Sequence, residues 1–273
     1  MKKRGIAVLL FFSAALGLMA KDEMEIPYYP EEMVTNAYQR SRCRLDIRYP
    51  EKKGFPTIVW FHGGGLSSGQ KHWIALGDSS VAQVRVNYRL HPQGKHPDYL
   101  YDAGAAVAWV MKNIARYGGD PDKIFVSGHS AGGYLSAMIG MDPRWLAFYG
   151  ESNRKLAGIA PISGQMTTHF LVKRLRGDQG PQYRPLIDEY APLYYAAKEL
   201  PPICLIMGDR KIEWPCRVEE NELLAVSLRR LGHPQVEFYE MGGLNHGTVG
   251  EGGMILLRNF VRKFSAKPKS TAK

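Results

Sequence analysis

Cysteine is scarce in this chain: Cys43, Cys204 and Cys216 are the three among 273 residues. Three thiols admit one bridge at most, so no disulfide framework holds the fold, and their spacing matches no zinc-binding pattern. Long apolar runs are missing too. The run from Gly5 to Leu18 has 14 residues, whereas a membrane-spanning helix needs about 20. Acidic residues are outnumbered, and the formal net charge is +10. Yet the body of the chain holds no dense Lys/Arg stripe interleaved with aromatics, which excludes a nucleic-acid partner and leaves a solvated basic surface. Part of the excess sits at the ends, on Lys2, Lys3 and Arg4 and on Lys263, Lys267, Lys269 and Lys273. Gly (29) and Pro (17) are too few for a collagen-like or low-complexity chain. A hydrophobic share of 45% is enough to build one sizeable core.

The first 20 residues read as a leader. A positive cluster (Lys2-Lys3-Arg4) precedes the short apolar run, and Ala20 ends it before the polar Lys21-Asp22-Glu23. That order describes a secretory signal peptide removed after Ala20. Residues 21–273 would then form the working domain, secreted or periplasmic and without stable membrane insertion. No cysteine follows the run to carry a lipid.

From Cys43 onward, short β-branched runs alternate with longer amphipathic ones. Arg44–Tyr49, Thr57–Phe61, Val81–Tyr88, Lys123–Ser127, Leu156–Ile162, Ile203–Met207 and Gln235–Tyr239 read as strands. Asp98–Tyr117, Ser130–Ile139, Cys216–Leu231 and Gly253–Phe264 read as helices, the first stopped by Gly118-Gly119 and the third by Gly232. Strands separated by helices imply right-handed crossovers and a mainly parallel sheet, an α/β fold. Residues 164–200 break this rhythm with Pro181, Pro185, Pro192 and several aromatics. They read as an insertion above the sheet.

The segment Gly128-His129-Ser130-Ala131-Gly132 lies between a strand and a helix, the context that makes G-x-S-x-G a nucleophile elbow. A serine on a sharp, strained turn projects its hydroxyl above the sheet, and side chains at 128 and 132 would collide with adjoining backbone. Upstream, His62-Gly63-Gly64-Gly65 follows the strand ending at Phe61. Glycines let backbone N–H groups turn toward an oxyanion, and each such donor contributes about 2.7–4 kcal/mol to its stabilisation. Gly64, Gly65 and Ala131 are the candidate donors.

The base belongs downstream of the nucleophile, and His246 occupies the loop between the last strand and the last helix. His233 reads as a turn residue before Pro234, His129 as a packing residue of the elbow, and His62 as a brace of the glycine loop. The arrangement needs neither metal nor organic cofactor. His246 must be neutral to accept a proton, so activity is expected to fall in acid.

Together, His62–Gly65, Asn87-Tyr88-Arg89-Leu90, Tyr117-Gly118-Gly119-Asp120-Pro121, Gly128–Gly133 and the His246 loop resemble the α/β-hydrolase superfamily. Within it they are similar to the hormone-sensitive-lipase-like and bacterial feruloyl or acetyl esterase group. The resemblance covers roughly residues 40–265. It implies a serine esterase with a mainly parallel eight-stranded sheet, in the order nucleophile, acid, base, with Ser130 as nucleophile and His246 as base. It also implies an aspartate three positions after the glycine that ends the strand before the acid loop. Here that position is Lys211, which cannot orient an imidazole. Asp209 directly follows Gly208 and is taken first; Glu213, with its longer reach, is the alternative, and Glu219 lies further on.

Export, the aromatic insertion and the family resemblance point to esterified plant carbohydrate, acetylated or feruloylated. Trp73, Trp214, Tyr194 and Tyr195 are candidate stacking faces, and Gln165 and His169 candidate pocket residues. A peptidase, amidase or formamidase on the same scaffold, or an inactive hydrolase-like binding module, are the rival readings.

Overall fold

The computed structural model describes residues 20–266. The leader read at 1–20, apart from Ala20, lies outside the described residues, as do Lys267, Lys269 and Lys273. Among the described residues no helix is long and apolar enough to cross a membrane, and all three cysteines are free.

Eight strands form one sheet. In chain order they are β1 (Lys21–Pro27), β2 (Arg44–Tyr49), β3 (Phe55–Phe61), β4 (Ala82–Val86), β5 (Gly119–His129), β6 (Gly158–Ile162), β7 (Ile203–Gly208) and β8 (Val236–Met241). Their spatial order is β1-β2-β4-β3-β5-β6-β7-β8. The pairs β1/β2 and β2/β4 are antiparallel and the rest are parallel. This is the α/β-hydrolase architecture that the sequence resemblance implies. The pattern did not announce β1: it is an exposed edge strand of mostly charged residues, so no apolar alternation marks it.

The helices that matter below are α1 (Ala37–Arg42), α2 (Asp98–Asn113), α3 (Ala131–Met141), α4 (Arg144–Ala147), α5 (Phe170–Leu175), α6 (Arg217–Arg230), α7 (Val249–Gly252) and α8 (Met254–Ser265). The helix read over 98–117 ends four residues early and continues as a 3-10 turn, closed by Gly118 at φ 93°. Side chains of the central strands alternate between two apolar layers. Val59 and Phe61 join α2 and α3 on one face, while Ile58 and Trp60 join Leu257, Phe260 and Val261 of α8 on the other. Burial on both faces explains why these strands read as continuous apolar runs rather than as alternating ones.

Parallel register carries the chemistry. Phe61 pairs with Gly128, His129 with Ile162, Ile162 with Ile206, and Gly208 with Met241. Every strand from β3 to β8 therefore ends at one edge of the sheet, and the six loops that follow them converge there.

Candidate active site

Ser130 sits at φ 58°, ψ −117°, a positive-φ conformation for a residue with a side chain. Such strain costs about 1–3 kcal/mol and persists only where its surroundings enforce it. Here the Ser130 N–H donates to the Ile162 carbonyl at 2.9 Å, and α3 starts at the next residue. Close approach explains the flanking glycines. A Cβ on Gly132 would lie 2.0 Å from the Phe61 carbonyl oxygen, and one on Gly128 2.5 Å from the Gly132 backbone. Gly132→Ala is accordingly expected to cost about 3 kcal/mol or more by forcing β3 and α3 apart, read as a lowered urea midpoint. A midpoint equal to wild type would contradict this packing.

The Ser130 hydroxyl lies 2.9 Å from His246 Nε2. His246 Nδ1 is 2.6 Å from Glu213 Oε1. Accepting from the serine fixes the proton of a neutral imidazole on Nδ1, which donates to the carboxylate. Glu213 is thus the carboxylate beside the base, a correction to the first choice of Asp209. The reason is the fold of the acid loop. Asp209 is spent on backbone: its carboxylate accepts the Gly243 and Lys211 N–H groups, and its own N–H donates to Leu244 O. The Glu213 N–H closes a turn onto the Asp209 carbonyl (2.8 Å). That turn brings the longer side chain back beneath the imidazole. Asp209 thereby ties the acid loop to the base loop, while Glu219 stays exposed on α6. Gly208 permits the approach, since a Cβ there would stand 2.5 Å from Leu244 O.

Burial pushes the Glu213 carboxyl up, but hydrogen bonds from His246, the Trp214 N–H and the Ser163 hydroxyl outweigh it and hold the group below its ordinary value. Ser163 had no part in the sequence reading. It follows β6 at φ 45°, its hydroxyl donates to Glu213 Oε2 (2.9 Å), and its oxygen lies 2.8 Å from His246 Nδ1. Beneath it, buried Arg217 donates to the Ser163 carbonyl (2.7 Å) and pairs with Glu220 at 3.2 Å. A small Ser163-Gly164 pair at the sheet edge was the available signal, the same one that marks the elbow.

The glycine loop is braced from behind. His62 stacks on Tyr88 (4.3 Å), and its Nδ1 lies 2.7 Å from Gly63 O. The Tyr88 hydroxyl donates to His62 O (2.7 Å), and Arg42 of α1 donates to Gly69 O and Tyr88 O. Arg89, the next residue of that motif, forms a buried pair with Asp102 of α2 (2.7 Å). Gly64 and Gly65 adopt φ 105° and 63°. Among the described residues, the N–H groups of Gly64, Gly65 and Ala131 have no protein acceptor, as donors waiting for an oxyanion require. His129 donates from Nε2 to the His246 carbonyl (2.6 Å), which pins the base loop to the elbow. His233 bonds to Leu200 O and Pro201 O, in the turn role assigned to it.

Ser130, His246, Gly64, Gly65, His169 and Trp214 line one cavity of about 460 Å³. Trp214 stacks on the His246 ring (4.9 Å, 30°) and on Phe170 of α5 (6.3 Å). Other candidates fall elsewhere and are corrected. Gln165 is buried and spends its amide on Thr167, Thr168 and the Phe170 N–H, bracing the start of the insertion. Trp73 packs against the guanidinium groups of Arg48 and Arg85, at 4.3 and 4.2 Å, and lines a neighbouring cleft with His72 and with His129, which it shares with the catalytic cavity. Tyr194 and Tyr195 line a third cleft with Met141 and Pro143. Among the described residues no cluster could hold a metal ion.

Three histidines around the site are held neutral. Burial lowers His62 and His129 to about 4 and His169 to about 3. An unfolded histidine titrates near about 6.5. As pH falls below that value, the unfolded chain takes up protons that the folded chain refuses. Stability is therefore full above about pH 6.5 and lost progressively toward about pH 4, at about 1.4 kcal/mol per pH unit for each site. Urea unfolding at pH 7, 6 and 5 should show a loss of several kcal/mol; a flat profile would contradict the buried neutral state.

Comparison with known proteins finds esterases among the chains similar to this one. The BD-FAE family model matches residues 45–155. Esterase LipC of Mycobacterium tuberculosis is 26% identical over 208 residues, covering 70% of this chain and 51% of that protein. A hyperthermophilic esterase from Pyrobaculum calidifontis is 26% identical with a TM-score of 0.64, covering 82% of each chain. A truncated carbohydrate esterase from gut microbiota superposes with a TM-score of 0.71 at 17% identity, covering 93% of this chain and 99% of that one. The chain spans about half the length of the curated relatives LipC and LipM that it matches.

Proposed function

We propose that this chain is a serine carboxylic-ester hydrolase of the α/β-hydrolase superfamily, working through an acyl-enzyme. The observation that carries this reading is the continuous relay from Ser130 Oγ through His246 to Glu213, at 2.9 and 2.6 Å. In the first step His246 Nε2 takes the Ser130 proton as the oxygen attacks the ester carbonyl. Glu213 and Ser163 hold the imidazole and stabilise its charged form, while the Gly64, Gly65 and Ala131 N–H groups receive the oxyanion. The imidazolium then protonates the departing alcohol. Water, deprotonated by the same nitrogen, attacks the acyl-enzyme and releases the acid and the free serine.

The finer reading is a secreted or periplasmic enzyme that removes acetyl or feruloyl groups from plant polysaccharide. Trp214 and Phe170 support it, as an aromatic wall beside the nucleophile on which a phenolic acyl group or sugar ring can stack. The test is a panel of acetylated xylan, acetylated pectin, methyl ferulate, a small acetyl ester and an aminoacyl anilide. Turnover of a polysaccharide ester or the ferulate above the small ester is expected. Preference for the anilide would replace the esterase reading with an amidase one.

A further inference from the structure

Phe170, Leu171, Arg174 and Gln182 bring the segment 170–184 into the lining of the catalytic cavity, and the cations of that segment divide into two kinds. Lys173 is buried, donates to Pro181 O, Gln182 O and Arg184 O, and lies 3.6 Å from Asp178. Arg176 pairs with Asp188 and Glu189, and Arg184 with Asp178. These three are spent on partners. Arg174 differs: it is exposed, it lines the cavity that holds Ser130, and among the described residues its guanidinium has no hydrogen bond or ion pair.

A second donor faces the same cavity. The His169 Nδ1 accepts the Leu171 N–H at 3.2 Å, capping α5. In the neutral ring this puts the proton on Nε2. Burial, with Arg217 and Arg174 nearby, keeps the ring neutral. Nε2 has no partner among the described residues. Arg217 also lines the cavity but is spent on Glu220 and the Ser163 carbonyl, so beyond the oxyanion donors the cavity offers one unpaired permanent cation and one neutral side-chain N–H, and no Asp or Glu is among its lining residues. A group that only accepts hydrogen bonds and carries negative charge satisfies both donors at once.

We propose that Arg174 and the His169 Nε2–H form a carboxylate subsite, so that the ester cleaved at Ser130 is one carrying a free carboxylate, on its acyl or its alcohol part. This deepens the esterase reading and rests on it. A guanidinium at the cavity mouth selects such esters by direct pairing and raises their local concentration, and added salt weakens both effects.

The test compares matched anionic and neutral esters. For the acyl side these are the 4-nitrophenyl monoester of adipic acid and its methyl-capped form; for the alcohol side, 4-acetoxybenzoate and its methyl ester. The expected wild-type result is a kcat/KM ratio, anionic over neutral, of about tenfold in one arm, which identifies the side bearing the carboxylate. Arg174→Gln should lower that ratio about tenfold and Arg174→Glu should bring it below one. A ratio at or below one in both arms, or one that Arg174→Gln leaves in place, would overturn the subsite. Calorimetric titration of 4-acetoxybenzoate and of adipate monomethylamide into Ser130→Ala reads the subsite without turnover. Weakening of either by about fivefold or more on adding Arg174→Gln supports the proposal, and affinities for both compounds that Arg174→Gln leaves unchanged reject it. Binding of that kind in a protein that hydrolyses none of the esters would reject the esterase reading alone.

Discussion

Ser130→Ala should lower kcat on a small acetyl ester by about 10⁵-fold and abolish covalent labelling by a fluorophosphonate, with the melting temperature nearly unchanged. The hydroxyl is the atom that forms the acyl bond, and no other hydroxyl in the cavity sits within hydrogen-bond reach of His246 Nε2. The donors of Gly64, Gly65 and Ala131 survive the substitution and can still polarise a bound ester, so a small residual rate over water remains. Removing one oxygen leaves the strained elbow in place, because the flanking glycines and the Ser130 N–H to Ile162 O bond enforce it. Intact-mass measurement after labelling checks the result. A phosphonate adduct persisting on the variant would show that another residue is the nucleophile.

The second large effect separates two carboxylates. Glu213→Gln should reduce kcat by about 10³–10⁴-fold while Asp209→Asn costs no more than about tenfold. In the wild type the carboxylate accepts the Nδ1 proton and leaves Nε2 free to take the serine proton. An amide in the same place can donate its N–H to Nδ1, which moves the ring proton to Nε2 and disables it as a base. The change is nearly isosteric and the fold is retained: Ser163 keeps its acceptor at the Oε2 position, while the Trp214 N–H, which shares Oε1 with His246, loses its own, at about 1–3 kcal/mol. Asp209 reaches His246 only through backbone, by holding Gly243 and Leu244. Loosening that tie shifts the base loop, while the His129 bond to the His246 carbonyl still restrains it. Single-turnover rates of the two variants, with circular dichroism to verify folding, check the ranking. Equal losses would mean that the loop tie matters as much as the tautomer.

Much of this site was legible because it depends on short-range sterics. A serine flanked by glycines between a strand and a helix, and three glycines after another strand, announce close backbone approach in the letters themselves. Strand and helix order followed from apolar periodicity, and the buried strands from their β-branched runs. The edge strand β1 escaped because neither face is buried. Trp73, Tyr194, Tyr195 and Gln165 looked as eligible as Trp214 and His169 because a side chain's type says nothing about the cleft it faces.

Residue order by itself determined the nucleophile, the base, the anion cradle and the crossover fold, since each is written in contiguous residues whose backbone constraints are local. Tertiary structure alone decided the acid, its Ser163 and Arg217 supports, and the unpaired Arg174 at the cavity mouth. Those choices depend on how loops from separate strands turn against one another, and on which charges find partners across that junction. A five-residue turn returned Glu213 to the imidazole and turned Asp209 away, a difference of loop path that no count of positions after Gly208 contains.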